Sequence, residues 1–355
     1  MSRKIIINGE SYARNVTGIE RVCIETIQEL DKICQPGEIE LVIPKNVKLY
    51  PQLQNIKVVQ LDYEISLFFK WVQLPFQEYL HSQKGISLDF ANDCPYFAPG
   101  IEYLHDIYCK LYPKDFTGRH DKLIRLLSCI LYRRIAKKAK VIIAVSDFTK
   151  KTIVDTYHIN PDKIKVIYDG LSKSYLDIKP DFSIFGKNPE LKEKQYYFTL
   201  GSLSIRKNLK WIASHAQKYP ENFYAISGKP LPDVVAPELE LLRTLKNVKF
   251  LGYLSDEEVK AVMSKCKAFI FPSYFEGFGL PPLEALSCGA PIIISNTTCL
   301  PEIYGNTAHY IDPDNSDIDL DKLLQKPVAS PTELLEKLTV ENSAKELYSI
   351  LKEYL

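Results

Sequence analysis

Residues 276–286 read EGFGLPPLEAL and connect an apolar, strand-like run at residues 268–271 to a helix-forming segment at residues 283–287. The two glycines let the backbone come close to a ligand, and the two consecutive prolines suit the first turn of a helix. A strand-to-helix turn of this kind directs backbone N–H groups and the positive end of a helix dipole at an anion. The stretch therefore predicts a phosphate-binding turn.

Two carboxylates, those of Glu276 and Glu284, frame this turn. A phosphate would repel both of them, so they must bind something else. Sugar hydroxyls are the natural hydrogen-bond donors to a carboxylate. The turn and its carboxylates together indicate a site for a nucleotide sugar.

The composition predicts a cytoplasmic enzyme of two domains. A chain of 355 residues with 46% apolar and 25% charged residues is ordinary for a globular protein and long for a single core. The eight cysteines are scattered without a CxxC pair, which favours reduced thiols over a disulfide framework or a zinc site. The N-terminus turns polar too soon for a signal peptide, and no apolar run approaches the roughly 18 residues of a membrane helix. Attachment to a membrane surface stays open.

Strand and helix signals alternate along the chain, as in doubly wound α/β domains. The predicted strands are residues 4–7, 40–43, 56–60, 86–90, 101–104, 140–145, 163–167, 196–200, 223–226, 248–251, 268–271 and 290–294. We expect an acceptor-binding domain at 1–172, a linker at 173–194 and a nucleotide-sugar-binding domain at 195–338. A final helix at 339–355 is expected to pack back toward the first domain.

Residues 110–140 carry ten basic residues against two acidic ones, a local charge of +8. Apolar residues recur at helical spacing within this basic stretch: Leu123, Ile124, Leu127, Ile130, Leu131 and Ile135. One interpretation is a surface helix with a buried apolar face and a solvated basic face. The other is a face that docks on anionic lipid headgroups. Nucleic acid is disfavoured because the rest of the chain is neutral and lacks a recognised binding motif.

The second half resembles the donor-binding domain of the retaining glycosyltransferases of family 4. The resemblance rests on LGSLSIRKN at 200–208, VKFLGY at 248–253, FPSYFEGFGLPPLE at 271–284 and LPE at 300–302. The order and the intervals of these segments match the family. The resemblance implies the GT-B fold, in which two doubly wound Rossmann-like domains face each other across a cleft.

The resemblance assigns donor-binding roles to the central stretch. Glu276 is expected to bind hydroxyls of the donor sugar, and Glu284 the nucleotide ribose. Backbone N–H groups of four residues are expected to meet the sugar and the diphosphate: Gly277, Phe278, Gly279 and Leu280. A glutamate in the first turn of a helix would also favour the helix dipole without any ligand, and this is the alternative interpretation of Glu284.

Three further positions complete the expected donor site. Arg206 and Lys207 would neutralise the leaving diphosphate, although a solvated pair of cations at a helix start is the alternative. Many family members also place a cation at the position of Ser202, which this chain lacks. The backbone of Leu254 would contact the base.

The first half resembles the family at two points. Gly18, within residues 17–22, would let the backbone approach the diphosphate or the acceptor. His105 and Asp106 follow a predicted strand and resemble the His-Asp pair that the family places in the cleft. A satisfied structural histidine is the alternative.

The resemblance implies front-face transfer of a hexosyl group with retention, without metal or cofactor. The sequence Asp317-Ile-Asp319 spells DxD but lies among turn residues, and we interpret it as a loop. The expected donor is a UDP, dTDP or GDP sugar, with rhamnose slightly favoured among the hexoses. The expected acceptor is a lipid-linked saccharide in capsule, exopolysaccharide or O-antigen assembly, at the inner face of the membrane.

Two other classes remain as alternatives. A catalytically silent binding subunit could use the same fold, although the intact set of expected site residues disfavours it. A nicotinamide-dependent dehydrogenase shares the α/β pattern but would need a GxGxxG turn after the first strand, which this chain lacks.

Overall fold

In a computed structural model, residues 4–16, 18–229 and 236–355 are described, and the chain divides into two compact units. The first unit holds the residues up to Pro113, Leu123–Ser172 and Leu338–Leu355. The second unit holds Lys114–Lys122 and Lys173–Lys337. Each unit is built on one parallel sheet, so the predicted α/β class with two doubly wound domains is confirmed.

The first unit has a seven-stranded sheet in the order β3-β2-β1-β4-β5-β6-β7. The strands are β1 (Ile5–Asn8), β2 (Ile39–Ile43), β3 (Lys57–Gln60), β4 (Ile86–Asp89), β5 (Ile101–Leu104), β6 (Val141–Ala144) and β7 (Ile164–Val166). Except in the edge strands β3 and β7, every strand residue is buried. Continuous Ile- and Val-rich runs of this kind suit strands that are covered on both faces.

The helices of the first half connect these strands. They are α1 (Gly18–Ile33), α2 (Phe68–Trp71), α3 (Gln77–Gln83), α4 (Tyr108–Leu111), α5 (Arg119–Lys138) and α6 (Asp147–Tyr157). A π-helical turn, Val72–Phe76, joins α2 to α3 around Pro75, which cannot donate a helical hydrogen bond. The sequence did not predict α2 or this turn. Trp71 of α2 and Phe76 of the turn pack against the sheet.

The helix α5 lies within the predicted basic stretch, but its apolar residues divide differently from the expectation. Leu131 and Ile135 are buried, whereas Leu123, Ile124 and Ile130 are 53%, 42% and 45% exposed. The prediction of a helix was confirmed. Of the two interpretations, the one that buries the apolar residues holds for Leu131 and Ile135 and not for these three exposed side chains. Helical spacing alone does not reveal which of two apolar stripes meets the sheet.

The second unit has a six-stranded sheet in the order β10-β9-β8-β11-β12-β13. The strands are β8 (Tyr196–Leu200), β9 (Phe223–Ser227), β10 (Val248–Gly252), β11 (Ala268–Phe271), β12 (Ile292–Ser295) and β13 (His309–Ile311). The sequence did not predict the short strand β13. One face of the sheet packs on a cluster that includes Trp211, Ile212 and Leu242.

The remaining helices are α7 (Lys173–Asp177), α8 (Ile184–Lys187), α9 (Leu209–Lys218), α10 (Leu239–Thr244), α11 (Asp256–Lys265), α12 (Leu280–Ser287), α13 (Leu300–Tyr304), α14 (Leu320–Leu324), α15 (Thr332–Lys337) and α16 (Val340–Leu351). In place of an irregular linker, residues 173–194 contain α7 and α8 and belong to the second unit. Lys260 of α11 holds the end of α7 by donating to three carbonyls, those of Tyr175, Leu176 and Ile178.

The terminal helix α16 belongs to the first unit and packs on α1. The Tyr348 hydroxyl donates to Glu38 across 2.8 Å. Across the described part of the chain, no helix combines the length and the apolar character needed to cross a bilayer.

Candidate functional site

The second sheet reverses its strand order between β8 and β11, which lie side by side and lead into opposite directions of the sheet. In open parallel sheets a crevice forms at such a reversal, beyond the carboxyl ends of the strands, and ligands bind there. The segment after β8 carries Arg206 and Lys207, and the segment after β11 carries Glu276. The fold thus brings together two predicted parts of the site that are about 70 residues apart in sequence.

Lys207 and Glu276 form an ion pair at this reversal. The Lys207 Nζ atom lies 2.7 Å from Glu276 Oε1, and the two side chains are only 14% and 7% exposed. The ammonium also lies 4.8 Å from the centre of the Phe271 ring. Because both charges are withdrawn from water, each depends on the other, and the pair holds the carboxylate in one place.

The turn from Glu276 to Leu280 is braced from behind by the segment around α13. Gly279 is the N-cap residue of α12 with a φ of +91°, and a Cβ at this position would lie 2.8 Å from a methyl carbon of Leu300. The Tyr304 hydroxyl donates to the Gly279 carbonyl across 2.5 Å. The Cys299 thiol lies 3.3 Å from the carbonyl oxygens of both Glu276 and Phe278. Three carbonyls of the turn, those of Glu276, Phe278 and Gly279, are thus contacted by side chains of this segment. The sequence did not predict these contacts.

Glu284 is buried in α12. Because the helix begins at Leu280, Glu284 is its fifth residue and lies beyond the first turn. The alternative interpretation, a glutamate that only complements the helix dipole, therefore loses its basis, since that effect is strongest within the first turn. Burial lowers the pKa of Lys260 and raises that of Cys288, and the nearby charge of Glu284 raises the pKa of both groups.

Glycines with positive φ follow or end three neighbouring strands of the second sheet. Gly201 follows β8, Gly228 follows β9, and Gly252 ends β10, with φ values of +149°, +144° and +72°. A Cβ on Gly228 would lie 1.8 Å from the Gly201 carbonyl oxygen, so no other residue fits there. Backbone replaces side chains along this edge, and a flat ligand meets little steric hindrance. Leu254, the predicted base contact, is buried immediately beyond this edge.

Arg206 lies with Lys207 in a 3₁₀ turn, Ile205–Lys207, and is partly buried. Its backbone carbonyl accepts a hydrogen bond of 3.1 Å from the N–H of Tyr274. The Tyr274 hydroxyl in turn donates to the carboxylate of Asp115, which belongs to the same unit. The turn that carries both cations is therefore tied to the segment that precedes Glu276.

The DxD-like sequence has structural roles on the surface. The Asp319 side chain caps α14 by accepting from the Lys322 N–H, and Asp317 pairs with Lys218 at 2.5 Å. Among the residues that the structure describes, no three or more His, Cys, Asp or Glu side chains group as metal ligands do.

His105 lies at the carboxyl end of β5 in the first unit and is 7% exposed. Its Nε2 atom lies 2.8 Å from the Phe90 carbonyl oxygen. A carbonyl oxygen can only accept a hydrogen bond, so Nε2 carries the proton and Nδ1 is left for another partner. The ring also stacks on Tyr103, with 5.8 Å between the ring centres.

His105 and Asp106, which resemble a pair that the family places in the cleft, have different hydrogen-bond partners in the structure. Asp106 accepts the Tyr108 N–H across 2.8 Å at the start of α4. The carboxylate near the imidazole is that of Asp169, whose Oδ2 lies 4.0 Å from Nδ1. Burial raises the pKa of Asp169 to about 6, and the His105 charge opposes this rise. The available sequence signal was the Asp-Gly pair directly after the last predicted strand of this half.

A second set of polar groups lies where the first sheet reverses, between β1 and β4, and sequence reasoning missed it. The Asn8 amide donates to Asp89 across 2.7 Å, and Arg14 donates to Glu10 across 2.6 Å. Burial raises the pKa of Glu10 to about 7 and that of Asp89 to about 6, and it places the pKa of Asp93 well above its usual range. Carboxyl groups perturbed in this way are common at functional sites.

Gly18 is the first residue of α1. A Cβ added there would meet no heavy atom within 4 Å, so packing in this chain does not require glycine. Thr17, which belongs to the same resembling segment, lies outside the described residues.

Two family models match the chain. A model described as Glycosyltransferase Family 4 matches residues 16–174, and one described as Glycosyl transferases group 1 matches residues 181–345. Among curated proteins, the O-antigen chain mannosyltransferase B of Escherichia coli is 27% identical over 91% of this chain and 90% of its own length. The O-antigen chain mannosyltransferase RfbU of Salmonella typhimurium is 30% identical over 60% of this chain and 56% of its own length.

Solved structures share the fold over nearly the whole chain. The sucrose-phosphate synthase of Thermosynechococcus elongatus superposes with a TM-score of 0.72 at 15% identity, covering 99% of this chain and 98% of that one. The Anabaena protein Alr3699/HepE, solved in complex with UDP-glucose, has a TM-score of 0.65 at 17% identity, covering 99% and 95%. At these identities the likeness establishes the fold alone.

Proposed function

Because the chain belongs to glycosyltransferase family 4 and has the GT-B fold, we propose that it transfers a hexosyl group with retention from a nucleoside diphosphate to a saccharide hydroxyl. The observation that carries this proposal is the buried Lys207–Glu276 pair at the reversal of the second sheet, beside the glycine turn into α12. A carboxylate held in this position accepts hydroxyl protons of a sugar, while the adjoining turn presents backbone N–H groups.

The favoured sugar is mannose. Both O-antigen relatives are named as mannosyltransferases, and they replace the slight preference for rhamnose that the sequence alone suggested. Their names also support a role in the assembly of an O-antigen-like polysaccharide. A lipid-linked acceptor is proposed from the family resemblance alone. The base of the donor remains part of the test, because the structurally similar HepE protein was solved with UDP-glucose.

The chemistry proposed for the second unit is charge stabilisation of the leaving diphosphate. Arg206 and Lys207 supply the positive charge, and residues 277–280 supply N–H groups. Glu276 binds the sugar and Glu284 the ribose. With no protein nucleophile assigned, the departing phosphate takes the proton of the acceptor hydroxyl on the same face, which retains the anomeric configuration. In the first unit, His105 and Gly18 are proposed to contact the substrate, and no metal takes part.

A donor panel with Glu276→Gln tests the proposal. We expect the wild type to hydrolyse or transfer one of GDP-mannose, UDP-glucose, UDP-galactose and dTDP-rhamnose. The variant should lose about 10- to 150-fold in kcat/KM, the worth of a hydrogen bond to a charged group. Its affinity for the nucleoside diphosphate alone should change far less than kcat/KM, because the glutamine oxygen can still accept from Lys207 and the sugar contact is absent from this ligand. NMR of the product reports the anomeric configuration, and a chelator arm reports metal dependence.

Glu240→Gln is the matched control, since its side chain is 85% exposed. The control should behave as wild type. Turnover that is unchanged in Glu276→Gln would contradict the proposed site, and absence of turnover with every donor would favour the catalytically silent binding subunit. Absence of nicotinamide binding in a thermal-shift screen would dispose of the dehydrogenase alternative.

The surface of α5 supports a proposal of membrane contact. The helix has four apolar side chains that are 42–53% exposed: Leu123, Ile124, Leu126 and Ile130. Its second half, together with Tyr96, lines an open groove of about 360 Å³ with four cations: Arg133, Arg134, Lys137 and Lys138. Exposed apolar side chains beside clustered cations suit the interface of an anionic bilayer, and each cation near such a surface contributes about 1 kcal/mol.

Reversing the charge of these four cations tests the contact. Binding to vesicles containing phosphatidylglycerol should fall by orders of magnitude, and turnover of a water-soluble acceptor should persist. The matched control reverses four exposed lysines of the second unit: Lys179, Lys192, Lys210 and Lys246. Equal loss in both variants would mean that only net charge matters, and unchanged binding in the first would contradict the docking face.

A further inference from the structure

His105 and Asp169 approach each other at the carboxyl edge of the first sheet without making a direct hydrogen bond. The Nδ1 and Oδ2 atoms are 4.0 Å apart, beyond the range of about 2.7–3.2 Å for such a bond. Both side chains are largely withdrawn from water and keep only 9% and 8% of their surface exposed. The gap therefore separates two strong hydrogen-bonding groups that each keep a small part of their surface exposed.

The imidazole is held in one orientation by its surroundings. Nε2 donates to the Phe90 carbonyl, and the backbone N–H of His105 donates to the Asn92 side chain across 2.7 Å. The Thr149 hydroxyl, at the start of α6, donates to the His105 carbonyl across 3.1 Å. With Nε2 and the backbone occupied, Nδ1 is the ring atom that is available to a ligand.

The segment that carries Asp169 is held as firmly by the C-terminal part of the chain. The Ser343 hydroxyl donates to the Tyr168 carbonyl across 2.6 Å. The Leu171 N–H donates to the Leu338 carbonyl across 3.0 Å. A Cβ on Gly170 would lie 2.5 Å from backbone atoms of this same C-terminal segment. These contacts hold the backbone on both sides of Asp169 and oppose a shift toward the imidazole.

We infer that His105 Nδ1 and the Asp169 carboxylate together bind one sugar hydroxyl, which bridges the gap between them. A hydroxyl oxygen about 2.8 Å from each atom makes an angle of about 90° between them, which a hydroxyl tolerates. Its single proton goes to one partner, and its lone pairs accept the proton that the other partner carries. When His105 Nδ1 and the Asp169 carboxylate carry one proton between them, the hydroxyl makes a hydrogen bond to each. Asp169 is therefore a binding residue for the sugar.

This inference rests on the proposed function and names a residue that recognises the sugar rather than the nucleotide. Asp169→Ala should lower kcat/KM for the sugar substrate by about 10- to 100-fold, as expected for a lost hydrogen bond to a charged group. Asp169→Asn should recover most of this loss, because its amide donates to the hydroxyl while the hydroxyl donates to Nδ1. Affinity for the nucleoside diphosphate alone should be unchanged in both variants.

Singly deoxygenated sugars identify the hydroxyl. One deoxy analogue should lose as much as Asp169→Ala does in the wild type and should lose nothing further in that variant. If the hydroxyl belongs to the donor, hydrolysis of the donor without acceptor is impaired. If it belongs to the acceptor, only the KM for the acceptor rises. Asp155→Asn, an exposed aspartate on α6, is the matched control.

Three results would overturn the inference. Asp169→Asn could be as impaired as Asp169→Ala with KM unchanged, which would assign the carboxylate to the charge of His105 alone. Both variants could have the same kcat and KM for every substrate as the wild type. Both variants could lose thermal stability and nucleotide affinity together, which would make Asp169 structural. A wild type that turns over donor through Glu276 keeps the proposed function intact in each of these cases.

Discussion

Glu10, which lies just beyond β1, is 1% exposed. Burying its carboxylate lowers the free energy of unfolding at neutral pH. Burial raises its pKa from 4.5 to about 7, with Arg14 opposing and Asp89 adding to the rise. The folded state therefore binds this proton more tightly than the unfolded chain does. The contribution of Glu10 to stability falls as the pH rises from about 4.5 to about 7 and stays low above that.

Glu10→Gln keeps the shape of the side chain and removes the charge. Each pKa unit corresponds to about 1.4 kcal/mol, so a difference of about two and a half units amounts to about 3 kcal/mol above pH 7. The attraction of Arg14 is already contained in the raised pKa, and the Arg14 side chain is 29% exposed and keeps contact with water. We therefore expect the variant to match the wild type near pH 4 and to exceed it by up to about 3 kcal/mol at pH 8.

Urea unfolding at pH values between about 4 and 8 measures this difference. The chain has two tryptophans, Trp71 and Trp211, and Trp71 donates to Asn8 in the first unit. In a Trp211→Phe background the fluorescence reports the first unit alone. Glu78→Gln, at an exposed position of α3 in the same unit, is the control and should stay within about 0.5 kcal/mol of the wild type at every pH. A difference that does not depend on pH, or a variant less stable at pH 8, would refute the reasoning.

Three further substitutions test the second unit. Gly279→Ala forces a φ of +91° on a residue with a Cβ and crowds Leu300. Thermal unfolding should show that the free energy of unfolding falls by about 1–3 kcal/mol. Calorimetric titration should show a weaker affinity for nucleoside diphosphate. Tyr304→Phe removes the hydroxyl that holds the Gly279 carbonyl and should cost about 1–2 kcal/mol in the same measurements; an unchanged affinity would show that the turn keeps its shape without this brace. Lys260→Met leaves three carbonyls at the end of α7 without their donor, so the free energy of unfolding should fall by about 3 kcal/mol. Trp211 fluorescence in urea measures this loss. Lys246→Met on the surface is the control and should change the stability little. Equal midpoints for the two lysine variants would contradict the role of Lys260.

Local physics made much of the fold predictable. Runs such as residues 141–143 and 292–294 are continuously apolar and β-branched, so burial in a parallel sheet is their most favourable state wherever they lie. The turn at residues 276–280 is encoded by its own glycines and prolines. Short helices such as α13 and the strand β13 escaped prediction because their formation depends on packing rather than on local periodicity.

The family resemblance and the glycine turn, both present in the sequence alone, predict which residues bind the donor. What only the tertiary structure decided is which groups meet. Lys207 pairs with Glu276 because the second sheet reverses its order between β8 and β11. Asp169 lies near His105 because β5 and β7 end at the same edge of a sheet. Contacts between distant residues follow from strand order, and strand order is set by the packing of the whole unit rather than by any local run of residues.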